Sequence, residues 1–144
     1  MLIQAILKSK SSAGVVTIAP DACIADAAAL LAEKRIGTVV VSSDGEAAEG
    51  ILSERDIVRE LAKSGGGCLD QSVDNYMTKK LVTCTSETRI EEVLQQMTDG
   101  RFRHMPVVEN DKLIGIVTLG DVVKAQLARV AMEKDALEGM IMGH

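Results

Sequence analysis

Apolar residues recur along the chain in one order: a short β-rich run, a helical pattern, two more short runs and a second helical pattern. In the first half this order predicts a strand at 15–18, a helix over about 22–35, strands at 38–41 and 50–52, and a helix at 54–63. Asp21 is the expected N-cap of the first helix, and Gly37 is the expected signal for its end. Ser, Asp and Gly between the two strands predict a turn at 42–45.

The same order returns in the second half of the chain. It predicts a strand at 81–84, a helix at about 88–98, strands at 105–108 and 113–117 around a turn at 110–111, and a final helix from about 119 past 135. Ser86 is the expected cap of the helix at 88–98, and Gly100 its expected end. Residues 2–7 predict a short apolar helix lying on the body of the fold. The glycines at 65–67 predict a flexible linker, followed by a turn of helix within 69–77.

One motif stands at the same place in both halves. Gly-Ile-Leu-Ser-Glu-Arg-Asp at 50–56 and Gly-Ile-Val-Thr-Leu-Gly-Asp at 115–121 are 65 residues apart (115 − 50 and 121 − 56). Upstream, Val16 and Val82 align at an offset of 66, so the halves differ by one loop residue. Two copies are too few for a solenoid or a propeller. They predict two pseudo-symmetric β-α-β-β-α units that face each other, an α/β (α+β) fold.

Each motif predicts a strand that ends in a turn and starts a helix. The turn offers a hydroxyl (Ser53 or Thr118), the free N–H groups of the first helical turn, and a carboxylate (Asp56 or Asp121). Such a junction is either a plain helix cap, with Asp placed for the helix dipole, or a site for a phosphorylated ligand. A carboxylate can accept both hydrogens of a vicinal diol, and capping does not exclude contact with a ligand.

The two motifs, together with Arg-Phe-Arg-His-Met-Pro-Val-Val at 101–108, resemble a tandem pair of CBS domains, the module named after cystathionine β-synthase. The resemblance covers about residues 13–128. It implies an N-terminal segment at 1–12, a first CBS domain at 13–64, a linker at 65–79, a second CBS domain at 80–128 and a C-terminal helical extension at 129–144. It also implies a non-catalytic module that binds adenosine ligands in clefts between the units, usually assembled as a homodimer.

The resemblance assigns ribose and phosphate contacts to the motif residues Asp121, Thr118, Asp56 and Ser53. The candidate phosphate cations are Arg55, Arg101, Arg103 and His104, with His104 expected to be partly protonated near neutral pH. The resemblance matches Arg103 and His104 to a basic pair that contacts phosphate in the family. Apolar walls and backbone groups for adenine are expected at Val16, Thr17, Ile18, Ile36, Val39, Val82, Thr83, Met105 and Pro106. The first half has Gly37-Thr38-Val39-Val40 where the second has Arg103-His104-Met105-Pro106, so the two sites are expected to be unequal. The site at Asp121 is the favoured one for ribose.

AMP is the first expected ligand, with ATP, ADP or NAD(H) as alternatives, and no metal is expected. Whether the cations and the ribose carboxylate of one site come from the same half, or even the same chain, stays open.

Composition narrows the function classes. Tyr76 and Phe102 are the only aromatic residues, and the net charge is −5 with a pI near 5.0, which disfavours a nucleic-acid surface. The sequence has no leader pattern and no long apolar run, which predicts a cytoplasmic protein with no membrane contact. Its three cysteines lack Cys-x-x-Cys spacing and are expected to be reduced. Cys84 is read as a strand filler rather than a nucleophile, and no nucleophile–base pair is apparent.

Two alternatives to a nucleotide sensor remain open. One is an interaction protein with vestigial clefts, whose terminal helix (Met132, Leu137, Met140, Met142) docks an unknown protein target. The other is a nucleotide hydrolase that uses Asp121 and His104, with His144 the only other histidine.

Overall fold

The computed structural model describes residues 1–10 and 15–141 of the chain. The helices are α1 (Ile3–Ser9), α2 (Ile24–Lys34), α3 (Glu54–Ser64), α4 (Ile90–Gly100) and α5 (Leu119–Ile141). The strands are β1 (Thr17–Ile18), β2 (Thr38–Val41), β3 (Gly50–Ser53), β4 (His104–Glu109) and β5 (Lys112–Thr118). The mixed α/β class is confirmed. Met142 and His144, singled out in the sequence, lie outside the described residues.

The first unit is a three-stranded sheet in the order β1-β2-β3, packed on α2 and α3. β1 runs parallel to β2, and β3 pairs antiparallel with β2. All four residues of β2 are buried, as expected for the central strand of a sheet covered on both faces. The core of this unit combines Ile24, Ala27, Leu31, Val39, Val41, Leu52, Ile57 and Val73.

The glycines at 65–67, expected to be flexible, belong to a short helix, so that expectation is corrected, whereas the turn of helix expected within 69–77 is present. Gly65–Asp70 and Val73–Asn75 form two short 3-10 helices. Cys68 is 1% exposed and Val73 fully buried, which means that this segment closes the first core. Hydrophobic burial holds the glycine-rich stretch in place despite its low intrinsic order.

Helix ends differ from the sequence expectation in both units. Cys23 and Arg89, not Asp21 and Ser86, are the N-caps of α2 and α4, and neither caps through its side chain. Remote carbonyl groups accept the first N–H of each helix, Gln71 for α2 and Met1 for α4. The Ser86 side chain instead contacts Glu109. At the C-termini, Arg35 and Arg101 take the left-handed conformation that closes a helix, at φ 55° and 57°, in place of Gly37 and Gly100.

The strand predicted at 81–84 is wrong: only Cys84 pairs, in a single parallel bridge to Val107. A ladder extended by two residues would need a backbone N–H at position 106 to reach the carbonyl of Val82, and proline has none. In the first unit the equivalent residue, Val40, donates its N–H to Val16. Pro106 therefore explains why, in the described part of the chain, the sheet of the second unit has only β4 and β5, which pack on α4 and α5.

The N-terminal helix α1 belongs to the second unit. Ile3 and Ile6 are 0% and 4% exposed and lie in the core that also contains Ile90, Val93, Met97, Met105, Val107, Val117 and Val122. Leu7 lies so close to Gly115 that an added Cβ there would be 2.7 Å from its Cδ2 atom. The glycine of the second motif thus allows α1 to dock, and the prediction that α1 lies on the body of the fold is confirmed.

Helix α5 extends beyond the packed body. Exposed apolar residues along it include Val123, Leu127, Val130, Leu137 and Ile141, spaced so that they form one stripe, the α5 stripe. Among the described residues, no helix has the length and apolar character needed to cross a membrane.

Candidate functional site

A cavity of about 570 Å³ lies between the two units. One wall is the end of β3 and the first turn of α3, which is the first motif. The other walls are residues 78–82, before the lone bridge at Cys84, and residues 100–104, where α4 ends and β4 begins. We call this cavity the first cleft. It has the size of a small-ligand pocket, and both units build it.

The first motif forms a complete capping box at the mouth of the first cleft. The N–H of Ser53 donates to Oδ2 of Asp56 at 2.9 Å, and the N–H of Asp56 donates to Oγ of Ser53 at 3.2 Å. The reading of Ser53 as an N-cap is therefore confirmed. The second oxygen, Oδ1, has only a 3.4 Å contact from Arg59, whose side chain is 63% exposed. The carboxylate keeps acceptor capacity on the cleft side because capping uses mainly Oδ2.

Cations line the first cleft from both units. The predicted phosphate residues Arg55, Arg101, Arg103 and His104 all lie on its wall. Sequence reasoning missed Arg59 and Lys80, which also line it. Arg59 follows Arg55 by four residues on the same helix, a spacing that places both on one face and could have identified it.

The charges of this wall do not balance. Five lysine and arginine side chains stand against two carboxylates, Glu54 and Asp56, within a chain of net charge −5. The first cleft is therefore a local basic site, which concentrates anionic ligands.

His104 lies where the two units meet. Its Nδ1 is 3.2 Å from Oγ1 of Thr38, the residue at the equivalent position of the first unit (104 − 38 = 66). Burial lowers the pKa of His104 below its usual 6.5, and the nearby charges of Lys10 and Arg103 lower it further, against the opposing effect of Asp121 and Glu54. These effects together favour the neutral imidazole in the ligand-free protein, and the partial protonation expected of His104 stays a prediction for the ligand-bound state.

The second motif forms the same capping box but faces a different neighbour. The N–H of Thr118 donates to Oδ2 of Asp121, and the N–H of Asp121 donates to Oγ1 of Thr118, both at 3.0 Å. Lys10 donates to the same Oδ2 at 2.9 Å. Burial alone would raise the pKa of Asp121, but the hydrogen bonds from Lys10 and Thr118 outweigh it and hold the pKa below 3.8. Asp121 does not line the first cleft, so the structure brings the predicted arginines together with Asp56. His104 lines the first cleft and is also near enough to Asp121 for that charge to act on its pKa.

The residues expected to contact adenine are scattered. Val82, 41% exposed, lines the first cleft, while Ile36 lines a groove between α2 and α3. Val39, Met105 and Pro106 are buried within their own units and line neither cavity. Val16, Thr17 and Ile18 are half-buried beside the first core, and Thr83 is exposed. The first cleft has three further large apolar wall residues that sequence reasoning did not assign to adenine, Ile51, Leu81 and Phe102.

A model of the CBS domain matches the chain twice, at residues 10–63 and 73–128. The chain belongs to the CBS domain family. Each match contains one capping box and the sheet of one unit. Within the described ranges, no group of three or more His, Cys, Asp or Glu side chains is arranged to hold a metal ion.

Similar CBS proteins include both sequence relatives and solved structures. The mitochondrial CBS domain-containing protein CBSX3 of Arabidopsis thaliana is 36% identical over 127 residues, 85% of this chain and 62% of its own length. The CBS-domain protein ATU1752 of Agrobacterium tumefaciens is 43% identical, with a TM-score of 0.81 over 88% of this chain and 99% of that one. The CBS domain pair of protein MJ0100, solved with 5-methylthioadenosine and S-adenosylmethionine, has a TM-score of 0.76 at 22% identity, over 90% of this chain and 98% of that one. This chain thus spans less than two thirds of the plant relative.

Proposed function

We propose that this CBS pair is a regulatory module that binds a phosphorylated adenosine ligand in the first cleft, AMP in the first place and ADP, ATP or NAD(H) as alternatives. One observation supports the proposal above the others: the Asp56 carboxylate of one unit and the cations of the other unit face the same 570 Å³ cavity. A nucleotide needs these two features side by side, an acceptor for the ribose hydroxyls and positive charge for the phosphates.

The roles follow from the chemistry of each wall. Asp56 accepts hydrogen bonds from the ribose diol through the carboxylate oxygen that capping leaves available. Phosphate oxygens contact Arg101 and Arg103 and the N-terminus of α3, where Ser53 and Arg55 stand. Adenine lies against the apolar side chains of Ile51, Leu81 and Val82, with the ring of Phe102 on the wall of the same cavity.

The charge of the first cleft also bears on the choice among adenosine ligands. The related pair of protein MJ0100 holds 5-methylthioadenosine and S-adenosylmethionine, which carry no phosphate. Here five lysine and arginine side chains against two carboxylates favour an anion over the sulfonium cation of S-adenosylmethionine. The expected order of affinity is therefore nucleotides first, 5-methylthioadenosine next and S-adenosylmethionine last.

Signalling follows from the position of the first cleft between the two units. A ligand that contacts both units stabilises the arrangement in which those contacts coexist, and it shifts the population by its difference in affinity. Such a module regulates a partner without turnover of the ligand. The proposed setting is the cytoplasm, with a protein target and no membrane or nucleic-acid partner.

Thermal unfolding tests the proposal directly. A nucleotide at a hundredfold excess over Kd adds about 2.7 kcal/mol of stability, and each kcal/mol raises Tm by about 2–4 °C in a chain of this size. The panel comprises AMP, ADP, ATP, NAD, 5-methylthioadenosine, S-adenosylmethionine and GTP, with wild type beside Asp56→Ala. A rise in Tm with adenine nucleotides that Asp56→Ala reduces supports the proposal. No response to any adenosine ligand would refute it, and release of phosphate from ATP would favour the hydrolase.

A second candidate function has its own observation, the exposed α5 stripe. Leu127 is 65% exposed, Leu137 57% and Ile141 77%, so the stripe is a continuous apolar surface of the kind that marks an interaction site. We propose that, in a homodimer, a second copy of the chain covers the part of the stripe around Leu127, together with Val58 and Leu61 of α3. Light scattering of wild type and Leu127→Glu tests this: the variant is expected to be monomeric. If the CBS pair binds no nucleotide but the stripe still binds a protein target, the interaction module is the better description.

A further inference from the structure

Lys10, just after α1, makes the two motif carboxylates chemically different. Its Nζ atom lies 2.9 Å from Oδ2 of Asp121 and donates a second hydrogen bond, of 3.0 Å, to the carbonyl of Ile116. The side chains of Lys10 and Asp121 are 27% and 26% exposed, so the ion pair is sheltered from much of the solvent. An ion pair with this shelter and with two directed hydrogen bonds is stronger than an open surface pair.

The docking of α1 fixes the position of Lys10. Ile3 and Ile6 are buried in the core of the second unit, and Leu7 packs on Gly115, which belongs to the same motif as Asp121. The backbone N–H of Lys10 donates to the carbonyl of Ile6 at 3.1 Å. The backbone of Lys10 is thus held near the carboxylate by a packed helix, so the contact with Asp121 costs the rotamer entropy of the lysine side chain but little further backbone entropy.

Within residues 1–10 and 15–141, the first motif has no comparable partner. Asp56 has only the 3.4 Å contact from Arg59, whose side chain is 63% exposed, and its carboxylate faces the first cleft. The capping boxes of the two motifs are otherwise the same. The difference therefore lies in what approaches the carboxylate from outside the motif.

We propose that Lys10 is an intramolecular competitor for the second motif: its ammonium group neutralises the Asp121 carboxylate and stands on Oδ2, one of the two oxygens that a ribose diol would need. Oδ2 of Asp121 also accepts the N–H of Thr118, so Lys10 fills its second acceptor position, whereas among the described residues Oδ2 of Asp56 accepts only the N–H of Ser53. This inference rests on the proposed role of the motif carboxylates as ribose acceptors. It follows that the ligand-free chain offers one working ribose carboxylate, Asp56, and that removing the charge of Lys10 exposes a second.

Calorimetric titration with AMP tests the inference on the full chain. Lys10→Met removes the charge and keeps an apolar stem, while Lys8→Met removes an exposed lysine from the same helix as the matched control. Wild type and Lys8→Met are expected to bind one AMP per chain. Lys10→Met is expected to bind a second, with an affinity at least tenfold higher than any second site of the wild type. Adding Asp121→Asn to Lys10→Met should abolish the gained site.

The failure of this inference can be told apart from the failure of the proposed function. If wild type binds no AMP but Lys10→Met does, the competitor is supported and the proposed first site is wrong. If Lys10→Met binds no more AMP than wild type, the inference is overturned, whether or not the first cleft binds. A gained site that survives Asp121→Asn would also overturn it, because the carboxylate would then not be the group that Lys10 occupies. The Tm of each variant is measured as a control that the variant is folded.

Discussion

Asp56→Asn is the most informative single change in the first cleft. Asparagine has the same shape as aspartate and keeps one carbonyl oxygen, which can still accept the 2.9 Å hydrogen bond from the N–H of Ser53. The capping box is therefore largely preserved, and the loss of unfolding free energy should stay below about 1 kcal/mol. What the variant loses is the negative charge and one acceptor on the cleft side.

The effect on affinity can be worked from the hydrogen bonds involved. A hydrogen bond to a charged group contributes about 1.5–3 kcal/mol, so losing one such bond to the ribose diol should raise the Kd for AMP about 10- to 150-fold. Removing a carboxylate from a basic cleft also strengthens the attraction of the phosphate, which moves the expectation toward the lower end of that range.

Isothermal titration with AMP measures this effect, with Asp121→Asn as the matched variant in the equivalent motif. Asp121→Asn is expected to leave the Kd within about threefold, because Lys10 already occupies that carboxylate. The reasoning is refuted if Asp56→Asn leaves the Kd within threefold of the wild type. A larger loss for Asp121→Asn would place the ligand at the second motif instead.

Three other changes test separate parts of the structure. Ile3→Ala should lower the unfolding free energy by about 2–5 kcal/mol because Ile3 is 0% exposed, whereas Lys8→Ala on the same helix should change it by less than about 0.5 kcal/mol. Denaturant unfolding measures both variants, and a small effect of Ile3→Ala would contradict the docking of α1. The folded-state pKa of His104 lies below its unfolded value of 6.5, so the wild type should lose stability as the pH falls below about 6.5. His104→Asn should lose less stability over the same range, and equal pH profiles of Tm for the two proteins would contradict this role of His104. Burial, with a contribution from the charge of Glu92, raises the pKa of Cys84 to about 11, so alkylation at neutral pH should modify Cys23 well before Cys84, as mass spectrometry of the digest will show.

Much of the fold could be predicted because the governing signals are local. Apolar periodicity placed α2, α3, α4 and α5, and the strand at 38–41 was correct to the residue. The repeat of the motif at an offset of 65 indicated two equivalent units, and Ser53 and Thr118 both cap helices as the residue types suggest. These features depend on residues a few positions apart.

The errors arose where a distant part of the chain supplied a partner. The carbonyls of Gln71 and Met1 accept the first N–H groups of α2 and α4, which left Asp21 and Ser86 without the capping role that their type predicts. Pro106 lacks the N–H that a longer first strand of the second unit would need, and that requirement becomes visible only when the strands are placed side by side. Hydrophobic burial of Cys68 and Val73 ordered a segment whose glycines predict flexibility.

The sequence by itself determined the chemistry of this protein: two hydroxyl–carboxylate junctions at helix N-termini and a set of basic residues before β4. The tertiary structure decided how that chemistry is combined. It brought Arg101 and Arg103 of the second unit to Asp56 of the first, and it brought Lys10 to Asp121. The physical reason is that Arg101, Arg103 and Lys10 are each more than 40 residues from the carboxylate they approach, and only the packing of helices and sheets sets which of these charges share one site.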